Sequence, residues 1–204
     1  IQNAGCNRTL AAFSAHSLLP SSIAGSARIQ KTPSYPLIFM NYDLIVIGGG
    51  PAGYVGAIRA AQLGKKVACV ENDRAGGTCL NWGCIPTKAL LKNAELFHTL
   101  THRAEEFGLK IGSIEYDWSK VIGRSRKVSD KLNKGIEFLF KKNKVDYLRG
   151  TASIPVEGKV KVIAADGTEE THEAANILIA TGAKTRDMPG FPFNGKTVIG
   201  SKEA

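Results

Sequence analysis

The sequence predicts an α/β protein, a parallel doubly wound sheet of the dinucleotide-binding type carrying an inserted helical pair and a small antiparallel β-meander. Three observations lead there. A short apolar strand runs into a glycine-rich turn, Gly48-Gly49-Gly50-Pro51-Ala52-Gly53, and a helix follows. A second buried strand then ends at an acid, Glu71. Beyond these lie two helix-length periodic stretches and several strand-length apolar runs separated by turn residues.

The first strand spans Tyr42 to Ile47, and the turn after it reads G-x-G-x-x-G with Gly48, Gly50 and Gly53. Such glycines permit a tight turn, close approach of the backbone to a pyrophosphate, and close helix packing. The helix from Pro51 to Leu63 ends at Gly64, and its N-terminus offers the dipole that holds a diphosphate. Lys66 to Val70 is the second strand, and Glu71 stands 21 positions after Gly50, where a carboxylate accepts hydrogen bonds from a ribose diol. A glycine-rich turn without a ligand is the plainer alternative. Cys69, inside that strand, reads as a small core residue.

Eight residues beyond Glu71 begins a pair of cysteines, Cys79 and Cys84, in the stretch Gly76-Gly77-Thr78-Cys79-Leu80-Asn81-Trp82-Gly83-Cys84-Ile85-Pro86-Thr87-Lys88. Cys84 falls in the first turn of a helix, where unpaired N–H groups and the macrodipole favour a thiolate. Cys79 precedes that turn, and a non-helical bend at Asn81-Trp82-Gly83 is needed to bring the two sulfurs together. Pro86 suits the first helical turn, and Lys88, one turn past Cys84, projects a cation from the same face. A reversible disulfide follows from this reading; a zinc half-site and two unrelated core thiols are the alternatives. Because the pair follows a nucleotide motif, electron traffic between sulfur and a redox ring is implied, and a flavin suits it.

Composition bounds the rest. With 43% apolar and 22% charged residues in 204, the chain is globular in character, and no run approaches a membrane span. The net charge is +9, of which residues 1–39 contribute +3 through Arg8, Arg28 and Lys31 with no acid. Nine Lys or Arg against three acids lie between Arg124 and Arg149. A solvated helix face, rather than a nucleic-acid surface, is the reading of that segment, since it keeps an apolar stripe and no nucleic-acid motif. The expectation is therefore no nucleic acid and no membrane among the partners. Four cysteines do not make a secreted framework, and the spaced pair points to a reducing compartment, cytoplasmic, or the mitochondrial matrix if residues 1–39 are a transit peptide.

Residues 1–40 are expected to be a leader or a non-native extension, with Met40 the start, so Cys6 and His16 receive no role. Residues 41–182 form the nucleotide domain. A helix from Pro86 to about Phe107 shows Leu90, Leu91, Ala94, Phe97 and Leu100 on one face; His98 and His102 share a face but lack a catalytic acid, so no metal is assigned. After a loop, a helix from Trp118 to Asn143 is expected to bury Val121, Ser125, Val128, Leu132, Ile136 and Leu139. Val145 to Leu148 is the third parallel strand; Ile154–Val156, Lys159–Ala164 and Glu169–Ala174 make the meander around an Asp166-Gly167 turn; Asn176–Ala180 returns to the sheet. Residues 183–204 read as a linker with an edge segment at Thr197–Ile199, leading into a nicotinamide-nucleotide domain beyond Ala204.

The strand with GGGPAG, Glu71 and GGTCLNWGCIPTKALL together resemble the pyridine nucleotide-disulfide oxidoreductases, and CLNWGCIPTK resembles the dihydrolipoamide dehydrogenase branch. The glutathione and mercuric reductase branches usually show CVNVGCVP, which this chain lacks. The resemblance covers Tyr42 to the end. It implies tightly bound, non-covalent FAD, held at Gly48, Gly50, Pro51, Ala52, Gly53 and Glu71, at Gly77, Thr78, Cys79 and Lys88, and at Ala152, Thr181 and Gly182. It also implies Cys79 as the thiol that exchanges with dihydrolipoamide, Cys84 as the charge-transfer thiolate against the flavin, and Lys88 near the ring. NAD would bind a following domain, and the partners would be lipoyl domains of 2-oxo acid dehydrogenase or glycine cleavage complexes within a homodimer. A related reductase, or a flavin-binding fragment inactive alone, is the alternative.

Overall fold

The computed structural model describes residues 42–203; the expectations for residues 1–40 lie outside the described residues. Tyr42–Ile47 forms β1, Pro51–Gln62 α1, Val67–Glu71 β2, Gly77–Asn81 α2, Cys84–His102 α3, Trp118–Lys142 α4, Asp146–Arg149 β3, Thr151–Val156 β4, Lys159–Ile163 β5 and Glu169–Ile179 β6. A turn of 3₁₀ helix, Ala104–Phe107, follows α3. The expected long helix ends earlier, since Arg103 leaves helical geometry and Gly108 closes the turn at φ 72°.

The six strands lie in the order β3-β2-β1-β6-β5-β4. Pairings β3/β2, β2/β1 and β1/β6 are parallel, while β6/β5 and β5/β4 are antiparallel. The sequence places a meander strand and a sheet strand where the structure has one. β6 is continuous through Ala175, its first half pairing with β5 at Glu169–Glu173 and its second with β1 from Ala174 onward. Alternation fades along it because the two halves face different neighbours.

Why the central strands read as unbroken apolar runs is now plain. Alternate residues enter two cores, as expected for a parallel sheet covered on both faces. Val46, Val67 and Cys69 meet Ala57 of α1, Leu80 of α2, and Ile136 and Phe140 of α4. Ile45, Ile47, Ala68 and Val70 meet Val160, Val162 and Ala174 of the meander. Helices therefore cover one face and the meander covers the other.

The helical excursion departs from its predicted register. On α4 the buried residues are Ser125, Ser129, Asn133, Ile136 and Phe140. Leu132 and Leu139, expected inside, are 40% and 37% exposed. On α3 the buried residues are Pro86 and Ala89, while Leu91 and Phe97 face out. Asn133 is held inside by hydrogen bonds to Ala75 O and Asn81 Oδ1, whereas the Ser125 hydroxyl donates within α4 to Ile122 O. Residues 183–203 hold no helix or strand, only an isolated Met188–Phe191 bridge, and Thr197 and Val198 donate backbone N–H groups to Asn194 Oδ1 instead of forming an edge. No helix among the described residues is long and apolar enough to cross a membrane.

Candidate functional site

The glycine turn is fixed by the chain approaching itself. A Cβ on Gly53 would sit 1.7 Å from the carbonyl oxygen of Gly48, so the first turn of α1 lies directly on the end of β1. A Cβ on Gly77, at φ 56°, would sit 2.6 Å from Gly50 Cα, which brings the start of α2 against the same turn. Gly50 differs from both. A side chain there would meet only Gly77 Cα, at 3.8 Å, so protein packing does not demand glycine and the space over it is open.

That opening fits a dinucleotide. Gly50 caps α1 without a side-chain hydrogen bond, Pro51 occupies the first turn, and no acid stands there, so unshared N–H groups remain for a diphosphate. Glu71 lies at the end of the neighbouring strand, its Oε2 accepting from Gly49 N at 2.7 Å and its Oε1 from Asp73 N at 2.8 Å. Each oxygen keeps a lone pair for a ribose hydroxyl. A cleft of about 210 Å³ opens at these strand ends, lined by Gly48, Glu71, Ala152 and Thr181 among the predicted residues, and by Asn72 and Thr151, which the sequence had not marked. Its place, outside the carboxyl ends of parallel strands, is where such sheets bind ligands. Gly182 is exposed just past Thr181, and Gly50, Pro51, Ala52, Gly53, Gly77, Thr78, Cys79, Cys84 and Lys88 stand outside the cleft wall. A hollow of about 450 Å³ is lined, among the described residues, only by Ser119, Lys120, Gly123, Arg124 and Lys127 of α4, and contains none of the predicted site residues.

The cysteines sit one step from the turn, Cys79 on the short helix that packs against Gly50 and Cys84 on the helix after it. Cys84 is the first residue of α3, as expected. Cys79 lies inside a short helix, α2, and because Asn81 ends that helix the expected bend narrows to Trp82-Gly83. Gly76, at φ 94°, turns the chain early enough for a single helical turn to fit before it.

The interaction of its side chain with Cys84 raises the Cys79 thiol above the ordinary thiol value, with partial burial and the Cys84 charge adding to it. The Cys84 backbone N–H and the Lys88 cation pull the other way. Cys69, Cys79 and Cys84 are all free thiols. Cys69 is a core residue as read, wholly buried, and its thiol is pushed up to about 12 by burial and then by Glu71.

Two groups escaped sequence reasoning. Trp82 lies between cations, with Arg126 at 5.7 Å and Lys202 at 5.0 Å from its ring, and Lys202 also reaches Asp73 at 3.4 Å. Asn81, at the end of α2, and Asn133 of α4 form a buried amide pair. The available signal was the polar repeat Ser125, Ser129, Asn133 at helical spacing, of which the expected stripe contains only Ser125. His98 and His102 stack with centroids 4.6 Å apart on the exposed side of α3.

Fold and site together define a dinucleotide-type sheet whose glycine turn is packed against a short helix carrying one thiol of a pair, with the other at the start of the next helix. A family model described as pyridine nucleotide-disulphide oxidoreductase matches residues 42–204, and the chain belongs to that family. Among curated relatives, a dihydrolipoyl dehydrogenase of Chlorobaculum parvum is 49% identical over 163 residues, 80% of this chain and 34% of the relative. A leghemoglobin reductase of Vigna unguiculata is 42% identical over 163 residues, 79% of this chain and 31% of the relative. In the crystal structure of LpdA from Mycobacterium tuberculosis, 36% of the chain is matched by 78% of this one at 27% identity, with a TM-score of 0.70. This chain thus spans about a third of the length of the proteins it resembles.

Proposed function

We propose that this chain is the flavin-binding, dithiol-bearing portion of a dihydrolipoyl dehydrogenase, whose whole oxidises protein-bound dihydrolipoamide with NAD+. The observation that carries it is that the short helix bearing Cys79 is seated at Gly77 against the Gly50 turn, while Cys84 opens the next helix and interacts with Cys79. When bound, FAD would supply a two-electron acceptor between the dithiol and NAD+. Gly48 to Gly53 and the N-terminus of α1 would hold its diphosphate and Glu71 its ribose. The backbone at Ala152, Thr181 and Gly182 would flank it, and Gly77, Thr78, Cys79 and Lys88 would approach its far end.

The chain's own chemistry is thiol exchange. A substrate thiolate attacks Cys79 Sγ of a Cys79–Cys84 bridge, and Cys84 leaves as a thiolate. The second substrate thiol then attacks the mixed disulfide, releasing cyclic lipoamide and the protonated Cys79. Two electrons and one proton pass from the substrate thiolate to the dithiol, which is left as the Cys79 thiol and the Cys84 thiolate; the other substrate proton leaves when its thiolate forms. Lys88 favours the thiolate at Cys79 through its charge. The partners would be lipoyl domains of 2-oxo acid dehydrogenase or glycine cleavage complexes, the assembly a homodimer, and the compartment a reducing one, cytoplasm or mitochondrial matrix.

In the full-length enzyme, Cys79→Ser and Cys84→Ser should each lower dihydrolipoamide:NAD+ turnover at least a thousandfold while flavin content, read from the extracted cofactor, holds. Cys84→Ser should in addition abolish the long-wavelength thiolate-to-flavin absorbance. Either variant retaining turnover within tenfold of the parent overturns the assignment. The leghemoglobin reductase relative favours one second reading, the same dithiol serving another acceptor. Parallel assays with dihydrolipoamide, ferric globin, glutathione disulfide and mercuric ion separate the two.

A further inference from the structure

We propose that Asn133 of α4 is a positioning residue for the Cys79–Cys84 pair, acting through a buried amide latch that holds α2 in place; this rests on the reading that the two cysteines form a bridge. α2 is only five residues long, begins on two left-handed glycines and has no side-chain cap. So short a helix has no stability of its own, and something outside it must fix where Cys79 stands.

The amide of Asn81, the last residue of α2, does this from one side. Its Nδ2 donates to Gly77 O at 3.0 Å and to Ala75 O at 3.1 Å, tying the end of α2 back to its beginning and to the preceding turn. Asn133 completes the tie from α4. Its Nδ2 donates to the same Ala75 carbonyl and, at 3.2 Å, to Asn81 Oδ1. Asn81 is 2% exposed and Asn133 5%, so water does not compete for these groups. Asn133 Nδ2 has two acceptors and Asn81 Nδ2 a third in Arg74 O at 3.5 Å, and a satisfied buried network of this kind is rigid.

Rigidity here has a chemical consequence. Closing a disulfide demands that two Cβ atoms come to about 3.8 Å in a narrow range of torsions, so the equilibrium favours the bridge in proportion to how often the thiols are already near that geometry. Holding α2 keeps Cys79 beside Cys84 and favours the bridge. Loosening it leaves the dithiol more freedom and makes the bridge easier to reduce. Asn133 touches neither sulfur in this arrangement, and its effect passes through Asn81 and the Ala75 carbonyl.

The test is the exchange equilibrium of the full-length protein with glutathione. Protein dithiol and glutathione disulfide give protein disulfide and two glutathiones, and the Cys79–Cys84 peptide is quantified by mass after alkylation. Asn133→Leu, close in volume but without donors, should lower the equilibrium constant about tenfold, a rise in potential of about 30 mV. Asn133→Ser, milder if the leucine variant does not fold, should lower it at least threefold. Phe140→Leu, two turns along α4 and packed on Tyr147, serves as a control for general core damage and should leave it within a factor of two. An unchanged constant in both Asn133 variants, or an equal shift in Phe140→Leu, overturns the latch. Absence of any Cys79–Cys84 bridge in the unsubstituted protein overturns instead the reading beneath it, and the latch with it.

Discussion

The glycine-turn half of this chain and its helical excursion are held in place by opposite means. Around β1, β2 and the start of α1, backbone meets backbone: the Gly53 Cα lies where no side chain fits over the Gly48 carbonyl, and Ile45, Val46, Val67, Ala68 and Cys69 have no exposed surface. Along α4, side chains meet. Its buried face is Ser125, Ser129 and Asn133 before it becomes Ile136 and Phe140, while Phe138 is 63% exposed. Glycines mark the contrast, since Gly123 and Gly135 of α4 have nothing within 4 Å of where a Cβ would be. A region set by steric approach tolerates almost no substitution. One set by side-chain hydrogen bonds tolerates many, yet depends on a few polar residues.

The largest effect that could break this contrast is at Gly53. Gly53→Ala places a Cβ inside the van der Waals radius of the Gly48 oxygen, and either β1 or α1 must move off the other. The expected cost exceeds about 5 kcal/mol, comparable to the whole stability of many domains, so the variant should be insoluble or bind no flavin. A urea midpoint within about 1 M of the parent would show that the turn is softer than its packing implies.

Next in size is the response to alkali, which separates two of the cysteines. The unfolded Cys69 thiol loses its proton near 9.0, whereas burial holds the folded one to about 12. Between these values the unfolded chain binds fewer protons than the folded one, so stability is full below pH 9 and falls as pH rises toward 12. Three units correspond to about 4 kcal/mol at the upper limit. Tyr42 and Tyr147, raised to about 12 by burial, act in the same sense, but they remain in Cys69→Ala and cancel in the comparison. Urea midpoints at pH 8, 9.5 and 11 should therefore fall faster in the parent than in Cys69→Ala, and parallel curves would refute the linkage. At pH 8 iodoacetamide should label Cys79 and Cys84 in the native protein and reach Cys69 only on unfolding.

How much the sequence discloses follows the same division. Gly48, Gly53 and Glu71 are legible because steric approach and a strand-end acid leave a spacing that few other sequences share, and Gly50 is read with them from that spacing although packing does not require it. The helix start at Cys84 is legible from Gly83 and Pro86. β6 is not legible as one strand, because its halves face different partners and no single alternation runs through it. The buried face of α4 is missed for a related reason. Hydrophobic periodicity selects Leu132 and Leu139, but the carbonyl of Ala75 and the amide of Asn81 demand a donor, and Asn133 supplies it. A pattern in one helix cannot show what its neighbour requires. The same limit hides Trp82, whose cations come from α4 and from the segment after β6.

The smallest expected effect sharpens the contrast from the permissive side. Gly135 lies in the interior of α4, between Asn133 and the buried Ile136, and a methyl group there meets nothing. Glycine costs a helix interior about 1 kcal/mol relative to alanine, because the unfolded chain gives up more freedom and no packing returns it. Gly135→Ala should thus stabilise by about 1 kcal/mol in a urea melt, with the Cys79–Cys84 equilibrium unchanged. The two glycine substitutions are chemically identical, one added methyl each, and opposite signs can arise only from what surrounds them. If Gly135→Ala instead destabilises, α4 is fitted to a partner as closely as α1 is fitted to β1, and the division between the two halves does not hold.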